Sequence, residues 1–330
     1  MKILVTGGGG FIGRSLVRAL VDKKYHVRSL SRNTYSELDS LGVEQLKGDI
    51  VDEGIVSDAC EGVYAVFHVA AKVGVWGKYD DFYSTNVVGS NNVVKACRHN
   101  KVKYLVFTSS ASVIFDGNSI ENRNEFLPYP TKYLSNYTST KAIAEQSILS
   151  ANCTKLKTLS LRPHLVWGPE DNHLIPGILT RARTGRLRQI GKNKYYIDTT
   201  YIDNLTDAQL CALDALTKNK NADGKAYFIT NGEPLKIWDF INSIICAYGL
   251  KPITKKINSN IAYLIAWLIE YFHKVAMINN EPMLTRFTID ELCTSHWFDI
   301  SRAKEILSYN PKVSNEEGIN NLIARFNESR

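Results

Sequence analysis

The sequence predicts an α/β fold, in which a doubly wound parallel sheet is joined to a smaller C-terminal lobe. In roughly the first two-thirds of the 330 residues, short apolar runs alternate with segments whose apolar residues recur at helical spacing. Four consecutive glycines follow the first apolar run almost directly. The composition is that of a globular protein, with 44% hydrophobic and 22% charged residues. Alternation of this kind builds parallel sheets whose two faces are covered by helices.

The apolar runs are the predicted strands of this sheet. Between them, segments such as residues 16–21 place apolar residues on one helix face. After about residue 170 the alternation gives way to turns rich in glycine and proline, with one further strand signal, so this part is expected to form the lobe. The predicted strands are residues 3–6, 26–30, 45–47, 65–69, 104–108, 158–161 and 227–230.

Charge and cysteine content exclude several classes of protein. The net charge of +7 comes from lysines and arginines spread along the chain, so nucleic-acid binding is not expected. An acidic substrate, a phosphorylated cofactor or an anionic membrane surface would each fit that charge. The six cysteines are isolated, so neither a metal site nor a disulfide framework is indicated. Strand-like residues begin at Lys2 with no signal peptide before them, which favours a cytoplasmic location.

Residues 261–272 are the most apolar stretch of the chain. They are too few for a membrane-spanning helix, which needs about 20 apolar residues. As a helix the stretch would be buried in the lobe, packed on a partner protein or laid along a membrane surface. The sequence leaves these alternatives open, and the last of them predicts peripheral membrane contact through residues 261–277.

Residues 6–13, Thr-Gly-Gly-Gly-Gly-Phe-Ile-Gly, lie between the first strand and the first helix. Gly7 allows a tight turn, Gly10 lets the backbone approach a diphosphate, and Gly13 lets helix and strand pack closely. The diphosphate then binds the free N–H groups at the helix start, where Phe11 and Ile12 lie. This context predicts a Rossmann-type NAD(P)-binding domain over residues 1–170. Residues 171–330 would then form mainly a substrate-binding lobe, interleaved with late elements of the sheet.

The end of the second strand bears on the choice of cofactor. An acidic residue there would bind the ribose 2′-hydroxyl of NAD. The chain has Ser31 and Arg32 at this point, and an arginine offers forked donors to the 2′-phosphate of NADP. The sequence therefore favours NADP(H), with NAD(H) as the alternative.

Tyr137 and Lys141 lie four residues apart in a segment that is predicted to be helical. Two side chains at that spacing share one helix face. An ammonium beside a phenol stabilises the phenolate and lowers the pKa of the tyrosine, which can then transfer a proton near neutral pH. The spacing is common by chance, and it gains weight from the glycine loop earlier in the chain.

The G-x-x-G-x-x-G spacing of that loop, with the Tyr-x-x-x-Lys pair, resembles the extended short-chain dehydrogenase/reductase superfamily over essentially the whole chain. The resemblance implies that Ser110 acts with Tyr137 and Lys141 in catalysis, with Ser109 as the competing assignment. It also implies that the backbone at His68 lines the cofactor and that the His68 side chain is structural. No metal is expected. The other cofactor-binding residues that it implies are Asp49, Ile50, Ala70, Ala71, Pro163 and His164.

Residues 162–169, 199–204 and 226–234 resemble the branch of 3β-hydroxysteroid and sterol-carboxylate dehydrogenases. A 3β-hydroxysteroid or sterol dehydrogenase is therefore one alternative for this chain. A nucleotide-sugar epimerase is another, although such enzymes usually carry a Phe-Asn-type pair where this chain has Arg162-Pro163-His164. A non-catalytic dinucleotide sensor is a third, and it is disfavoured because such proteins tend to lose the tyrosine or the lysine.

Within that branch, residues 70–80, 167–174, 185–188 and 282–287 are most similar to bacterial reductases of long-chain olefin biosynthesis. The resemblance implies that hydride from NADPH reduces a 2-alkyl-3-oxoalkanoic acid, a long-chain β-keto acid, to the 3-hydroxy acid. Tyr137 would supply the proton.

The expected ligand besides the cofactor is a lipid-like small molecule. The resemblance also implies a homodimer through the helix that bears Tyr137, and assembly with other enzymes of olefin biosynthesis. The residues expected to contact the substrate are Trp76, Asn86, His164 and Asn172.

Overall fold

The structure, a computed structural model, describes residues 1–218, 221–278 and 280–328. Its strands are β1 (Lys2–Thr6), β2 (His26–Ser31), β3 (Glu44–Lys47), β4 (Ala65–His68), β5 (Tyr104–Thr108), β6 (Ile120–Arg123), β7 (Lys157–Pro163), β8 (Val166–Trp167), β9 (Gln189–Ile190), β10 (Tyr196–Ile197), β11 (Thr200–Tyr201), β12 (Lys225–Ile229), β13 (Leu235–Lys236), β14 (Lys256–Ile257) and β15 (His296–Phe298).

Its helices are α1 (Phe11–Asp22), α2 (Ser36–Ser40), α3 (Glu53–Cys60), α4 (Tyr79–Phe82), α5 (Gly89–His99), α6 (Asn136–Ser150), α7 (Leu174–Arg183), α8 (Ile202–Thr217), α9 (Ile237–Ala247), α10 (Ser259–Val275), α11 (Arg286–Leu292) and α12 (Asn315–Glu328). Short non-α helical segments lie at Tyr83–Val88, Ala111–Ile114 and Ala303–Leu307.

A seven-stranded parallel sheet forms the centre of the molecule and confirms the predicted α/β fold. Its order is β12-β7-β5-β4-β1-β2-β3. The predicted strands all belong to it, with ends shifted by at most two residues, as in β7 (Lys157–Pro163) and β12 (Lys225–Ile229). The strand order reverses between β1 and β4. In such sheets, ligands bind in the crevice at the carboxyl ends of the strands beside the reversal.

Helices cover both faces of the sheet because both faces are apolar. On one face, Leu16 and Leu20 of α1 are fully buried in a cluster that includes Leu205 of α8. On the other face, Val93 of α5 and Ile148 of α6 are fully buried in a second cluster.

The C-terminal lobe has a separate apolar core that includes Trp167, Trp238 and Ile244. The chain passes between sheet and lobe more than once. Helix α8 and strand β12 follow residue 170 but lie on the central sheet. Strand β6 precedes residue 170 but pairs with β15 in a small sheet ordered β13-β10-β15-β6. Residues from distant parts of the chain therefore meet where the sheet faces the lobe.

Helix α10 contains the predicted apolar stretch, and most of its large side chains are exposed. Its buried residues, Ala262, Ala266 and Glu270, are spaced one turn apart on a narrow face. The alternative of a helix buried in the lobe is therefore wrong, and the two surface alternatives remain. Within the described ranges, no helix is long and apolar enough to cross a membrane. The exposed side chains are Ile261, Tyr263, Leu264, Ile265, Trp267, Leu268, Tyr271, Phe272 and Val275, with 38% to 64% of their surface accessible.

Candidate active site

The glycine loop joins β1 to α1 at the carboxyl edge of the sheet. Gly7 has a φ of +74°, and a Cβ atom there would lie 2.9 Å from the backbone N and Cα of Ala70. At Gly13 a Cβ atom would lie 2.1 Å from the Gly7 carbonyl oxygen. Only glycine fits these two positions, because one needs a left-handed backbone and both are in close contact with other backbone. Ala70 N also donates to Thr6 Oγ1 at 3.2 Å, which ties the end of β4 to the loop.

The N-terminus of α1 fits an anionic group. Gly10 precedes the helix, and no side chain of the described chain caps the amides of Phe11, Ile12 and Gly13. The first turn contains no acidic residue that would repel a phosphate. A Cβ atom at Gly10 would meet only the Gly7 carbonyl oxygen, at 3.3 Å. This geometry fits the diphosphate of a dinucleotide cofactor.

Gly8 and Gly9 have packing roles that the motif alone does not reveal. A Cβ atom at Gly8 would lie 2.4 Å from Ser29 Oγ, and one at Gly9 would lie 1.8 Å from the ring of Tyr35. Tyr35 precedes α2 and lies against the loop. The sequence signal for this contact was the unbroken run of four glycines, in which the motif itself accounts for only two.

Ser31 and Arg32 lie at the end of β2, beside the glycine loop. Gly9 N donates to Ser31 Oγ at 3.3 Å. Arg32 is exposed and makes no hydrogen bond or ion pair with any residue in the described ranges. Its guanidinium is therefore available to an anionic group at this edge of the sheet.

The remaining cofactor candidates follow β3 and β4. Asp49 is exposed, and its carboxylate accepts a hydrogen bond at 3.1 Å from the backbone amide two residues further on. Ile50 is buried. Ala70 and Ala71 are half-buried and continue the chain from β4 past the glycine loop. The structure thus gathers these residues at the carboxyl ends of neighbouring strands.

Tyr137 and Ser110 meet at the start of α6. The helix is capped by Ser135, whose Oγ accepts a hydrogen bond from Thr138 N at 3.2 Å, and this cap places Tyr137 in the first turn. Burial raises the pKa of Tyr137 to about 12. A hydrogen bond with Ser110 opposes that rise, and the negative charge of Glu291 adds to it. At neutral pH Tyr137 is therefore protonated.

Lys141 lies one turn further along α6, but it does not lower the pKa of Tyr137, and that prediction is wrong for this structure. Its Nζ donates to the carbonyl oxygen of Thr108 at 2.7 Å and lies 4.0 Å from the centre of the Phe107 ring. Burial lowers the pKa of Lys141 to about 7, against the opposing charge of Glu145. The ammonium therefore faces the end of β5 and is partly neutral near pH 7.

Ser109, the competing assignment, does not take the place of Ser110. Its backbone N donates to the carbonyl oxygen of Leu161 at 2.7 Å. Its Oγ is buried and has no hydrogen-bond partner among the described residues. Ser110, by contrast, reaches Tyr137, and its Oγ lies 2.8 Å from that of Ser112.

A buried ion pair that the motifs did not indicate anchors α6 to β7. Glu145, one turn after Lys141, lies 2.6 Å from Arg162 Nη2, and both side chains are almost fully inaccessible. Tyr129 OH and Ser160 Oγ donate to the same carboxylate at 2.7 and 2.6 Å. The pKa of Glu145 is lowered, because Arg162 and these hydrogen bonds outweigh the effect of burial. This network fixes the helix that carries Tyr137 and Lys141.

A small pocket lies between these residues and the lobe. Its polar lining comes from Ser112, His164, Glu291 and His296, and its apolar lining includes Phe298. Burial lowers the pKa of His164 to about 4 and that of His296 to about 3, so both imidazoles are neutral at pH 7. The sequence could not predict this pocket, because its residues come from four separate segments.

His164 faces this pocket with its side chain and not with its backbone. Its backbone N–H donates to Thr200 Oγ1 at 3.2 Å. Its Nδ1 is buried and has no hydrogen-bond partner among the described residues. Pro163, at the end of β7, pairs with Ile229 of β12. His164 is therefore placed for a substrate contact through its ring.

The structure does not bring the other substrate candidates into this pocket. Asn86 is buried, and its amide is engaged by the backbone N and O of Lys72 at 2.8 and 3.1 Å and by Thr140 at 3.1 Å. It therefore holds the segment after β4 to α6. Trp76 Nε1 donates to the carbonyl oxygen of Ile278 at 3.2 Å, beyond the end of α10. Asn172 is exposed in the turn before α7.

His68 is enclosed within the sheet. Its ring nitrogens lie 2.7 Å from Thr6 Oγ1 and 2.9 Å from Ser90 Oγ. Burial, and then the charge of Lys141, lowers its pKa to about 3. The imidazole is therefore neutral and bridges β1 to α5, in keeping with the structural role expected of it.

Comparisons with known proteins match most or all of this chain. Residues 4–257 match the 3-beta hydroxysteroid dehydrogenase/isomerase family. The 2-alkyl-3-oxoalkanoate reductase of Stenotrophomonas maltophilia is 44% identical over 98% of this chain and 99% of its own length. The mouse sterol-4-alpha-carboxylate 3-dehydrogenase (decarboxylating) is 31% identical over 100% of this chain and 92% of its own. The predicted resemblance is confirmed.

Among solved structures, the UDP-glucuronic acid 4-epimerase of Bacillus cereus, in complex with NAD, superposes with a TM-score of 0.76. The match covers 100% of this chain and 99% of that one, at 23% identity. At this identity the likeness establishes the fold alone.

Proposed function

Because the chain belongs to the 3-beta hydroxysteroid dehydrogenase/isomerase family, whose members are NAD(P)-dependent oxidoreductases acting on hydroxyl and keto groups, we propose that it reduces a 2-alkyl-3-oxoalkanoic acid to the 3-hydroxy acid with NADPH. The reaction would belong to the synthesis of long-chain olefins. The observation that carries the proposal is the protonated Tyr137 in contact with Ser110, in a chain similar over its whole length to such a reductase.

The residues of the site fit the reduction direction. The bound cofactor supplies a hydride to the ketone carbon. Ser110 donates a hydrogen bond to the ketone oxygen, and Tyr137 transfers its proton to that oxygen as negative charge develops. A tyrosine with a pKa of about 12 holds its proton at neutral pH, so it is a donor in the reduction and a poor base for the reverse reaction.

Lys141 acts as a charged neighbour of the cofactor in this proposal. Its buried ammonium, fixed by Thr108 and by the Phe107 ring, lies on the same helix face as Tyr137. The cofactor ribose would accept a hydrogen bond from Nζ, and a proton held there favours the anionic transition state. With a pKa near 7, this contribution is lost as pH rises above 7.

Activity with a panel of substrates tests the proposal. NADPH oxidation is measured with long-chain 2-alkyl-3-oxo acids, and NAD reduction with 3β-hydroxysterols. With UDP-sugars, the assay looks for epimerisation, in which the protein retains NAD and consumes no cofactor overall. Turnover of the oxo acids alone supports the proposal. The sterol alternative is favoured by the mouse relative, and preferential turnover of sterols would establish it instead.

The variant Tyr137→Phe tests the role of the tyrosine in that assay. Removing the proton donor should lower kcat by about 10²- to 10⁴-fold, the usual contribution of a positioned acid. NADPH affinity, measured by cofactor fluorescence, should stay unchanged because the phenol oxygen is not part of the glycine loop. Retained turnover in this variant would show that another group supplies the proton.

We propose NADPH over NADH because Arg32, at the end of β2, is unpaired among the described residues, and no acidic residue stands there. Arg32→Gln should reduce the ratio of kcat/KM for NADPH to that for NADH by about 10- to 100-fold, the value of one charge-assisted hydrogen bond. Arg183→Gln, which changes an exposed arginine of α7, is the matched control and should leave the ratio unchanged. A wild-type preference for NADH would overturn the assignment.

We also propose that α10 binds the surface of an anionic membrane. Tyr263, Trp267 and Phe272 are exposed on it, as in helices that lie in the interface of a bilayer. Lys255, Lys256 and Lys274 flank them, while Glu270, the acidic residue of the helix, is neutralised by Arg286 at 2.8 Å.

Vesicle flotation tests the surface on α10. The protein should float with vesicles that contain phosphatidylglycerol but not with pure phosphatidylcholine, and Trp267→Gln with Phe272→Gln should abolish flotation. Phe126→Gln, at an exposed phenylalanine of a distant loop, should not. Absence of flotation at low salt would overturn the proposal, as would a concentration-dependent dimer that the same double variant disrupts.

A further inference from the structure

We propose that Glu291 binds the carboxylate of the substrate as a neutral carboxylic acid, and so selects β-keto acids over simple ketones. The inference rests on the proposed function, since it names the group that recognises the acid end of that substrate. Nothing in the family motifs points to this residue, because it lies far along the chain on α11.

The position of Glu291 places it at the reacting end of the substrate. It lines the pocket with Ser112, His164 and His296, and in its ionised form it raises the pKa of Tyr137. In a β-keto acid a single carbon separates the carboxyl carbon from the ketone carbon. A group that binds the carboxylate must therefore lie close to the residues that act on the ketone. The pocket meets this condition through Ser112, whose Oγ lies 2.8 Å from that of Ser110.

The Glu291 carboxyl group is not engaged by the described part of the protein. It makes no hydrogen bond or ion pair with any residue in the described ranges. The arginine on its own helix, Arg286, is engaged with Glu270 of α10. Ser112, across the pocket, shares its hydroxyl with Ser110 at 2.8 Å. Glu291 is thus held in the pocket wall with its hydrogen-bonding capacity unused.

The pocket binds an anion through neutral donors, since its titratable lining groups carry no positive charge at neutral pH. Both imidazoles are neutral, and Tyr137 is protonated. Burial, and then the charge of Asp290, raises the pKa of Glu291 to about 8, and burial raises that of Asp290 to about 6. Below pH 8 the acid form of Glu291 therefore offers an O–H donor.

A single proton shared between two carboxyl groups gives this site a characteristic pH dependence. Once Glu291 ionises, two carboxylates face each other, and a like charge opposes binding. The KM for the acid should therefore rise as pH increases above about 8, by about tenfold for each further pH unit. The kcat should follow a different profile, because Glu291 does not touch the reacting ketone.

The test compares an acid with its methyl ester between pH 6 and pH 10. In the wild-type protein, KM should rise above pH 8 for the 2-alkyl-3-oxo acid but not for its ester. Glu291→Gln keeps a neutral donor of the same shape, so the KM for the acid should stay low and flat. Glu281→Gln, which changes an exposed glutamate before α11, is the control and should behave as wild type. A flat wild-type KM, or the same rise in Glu291→Gln, would overturn the assignment.

Calorimetry separates this inference from the proposed reaction. A long-chain 2-alkyl fatty acid carries the carboxylate but no ketone, so its binding needs no turnover. At pH 9 its binding to the NADP-loaded protein should take up close to one proton, seen as a dependence of the heat on the buffer. Glu291→Gln should take up none. If no oxo acid is reduced but this proton uptake occurs, the proposed reaction fails and the carboxylate site stands. If oxo acids are reduced but no proton is taken up, the proposed reaction stands and the assignment of Glu291 as the carboxylate site fails.

Discussion

Two neighbouring serines after β5 differ in their surroundings, and this difference predicts different costs of removing each hydroxyl. Ser110 contacts Tyr137, whereas the Oγ of Ser109 is buried without a partner in the described part of the chain. Ser110→Ala should lower kcat by about 10²- to 10³-fold, as the loss of one oxyanion donor does. Ser109→Ala should leave kcat within a factor of about three and stability unchanged or higher, since a buried unpaired polar group is lost. Steady-state kinetics of both variants measures these effects. A large loss of kcat in Ser109→Ala, with little loss in Ser110→Ala, would assign the catalytic hydroxyl to Ser109.

Lys141 should make the folded protein less stable than an apolar side chain at the same position would. Its ammonium is buried, and its pKa falls from a reference of about 10.4 to about 7 on folding. Lys141→Met should therefore raise the free energy of unfolding by about 1–4 kcal/mol while abolishing turnover.

The sign of the pH effect checks this explanation for Lys141. The unfolded state binds more protons than the folded state between about pH 7 and pH 10.4, so wild-type stability gains from this residue as pH rises through that window. The advantage of Lys141→Met should therefore be largest at pH 7 and shrink by pH 9 in urea titrations. An advantage that grows with pH would show that the ammonium is well paired in the folded protein.

Lys141 shows most clearly what the sequence could predict about the site and what it could not. The spacing of Tyr137 and Lys141 correctly placed both on one helix face, because helical geometry fixes the direction of the Cβ atoms. It could not fix where a lysine with four rotatable bonds directs its nitrogen. That choice depends on Thr108 and Phe107, which the fold brings there from another strand.

At the scale of elements, the contact between α6 and β7 depends on a buried charge pair. Arg162→Met alone would leave Glu145 charged and without its guanidinium partner, and should cost about 3–5 kcal/mol. The double variant Glu145→Leu, Arg162→Met should be less destabilised than either single variant, because it buries no unpaired charge. Urea unfolding of the three variants measures the coupling. Additive losses would mean that the two side chains contribute independently.

Helix α10 and strand β12 show what periodicity along a chain can predict. The apolar residues of α10 correctly indicated a helix, but burial depends on whether another element covers it, and no local pattern contains that information. The strand signal of β12 was equally clear, while its place beside β7 follows from the crossover through α8. The element types were therefore predictable, and their neighbours were not.

At the scale of the whole molecule, the fold and the cofactor edge were predictable because they depend on local rules. The alternation of strands and helices predicts the sheet, and the glycine loop after β1 predicts which edge binds a ligand. The substrate pocket could not be predicted, since Ser112, His164, Glu291 and His296 meet only when the lobe packs on the sheet. Glu291 on α11 and His296 on β15 come later in the chain than α8 and β12, the elements through which the chain returns from the lobe to the central sheet.

Cofactor binding should stabilise the whole molecule, and two glycines provide a matched test. Gly7 and Gly42 both have positive φ, at +74° and +69°, so the backbone strain of Gly→Ala should cost about 1–2 kcal/mol at either position. A Cβ atom at Gly42 meets nothing within 4 Å, whereas one at Gly7 would lie 2.9 Å from the Ala70 backbone, where the loop and β4 form the cofactor edge.

NADPH at 100 times its Kd should add about 2.7 kcal/mol to wild type and to Gly42→Ala, seen as a higher Tm. Gly7→Ala should show little of this gain, because the added atom pushes the loop away from the end of β4. An equal gain in both variants would place the diphosphate elsewhere on the sheet.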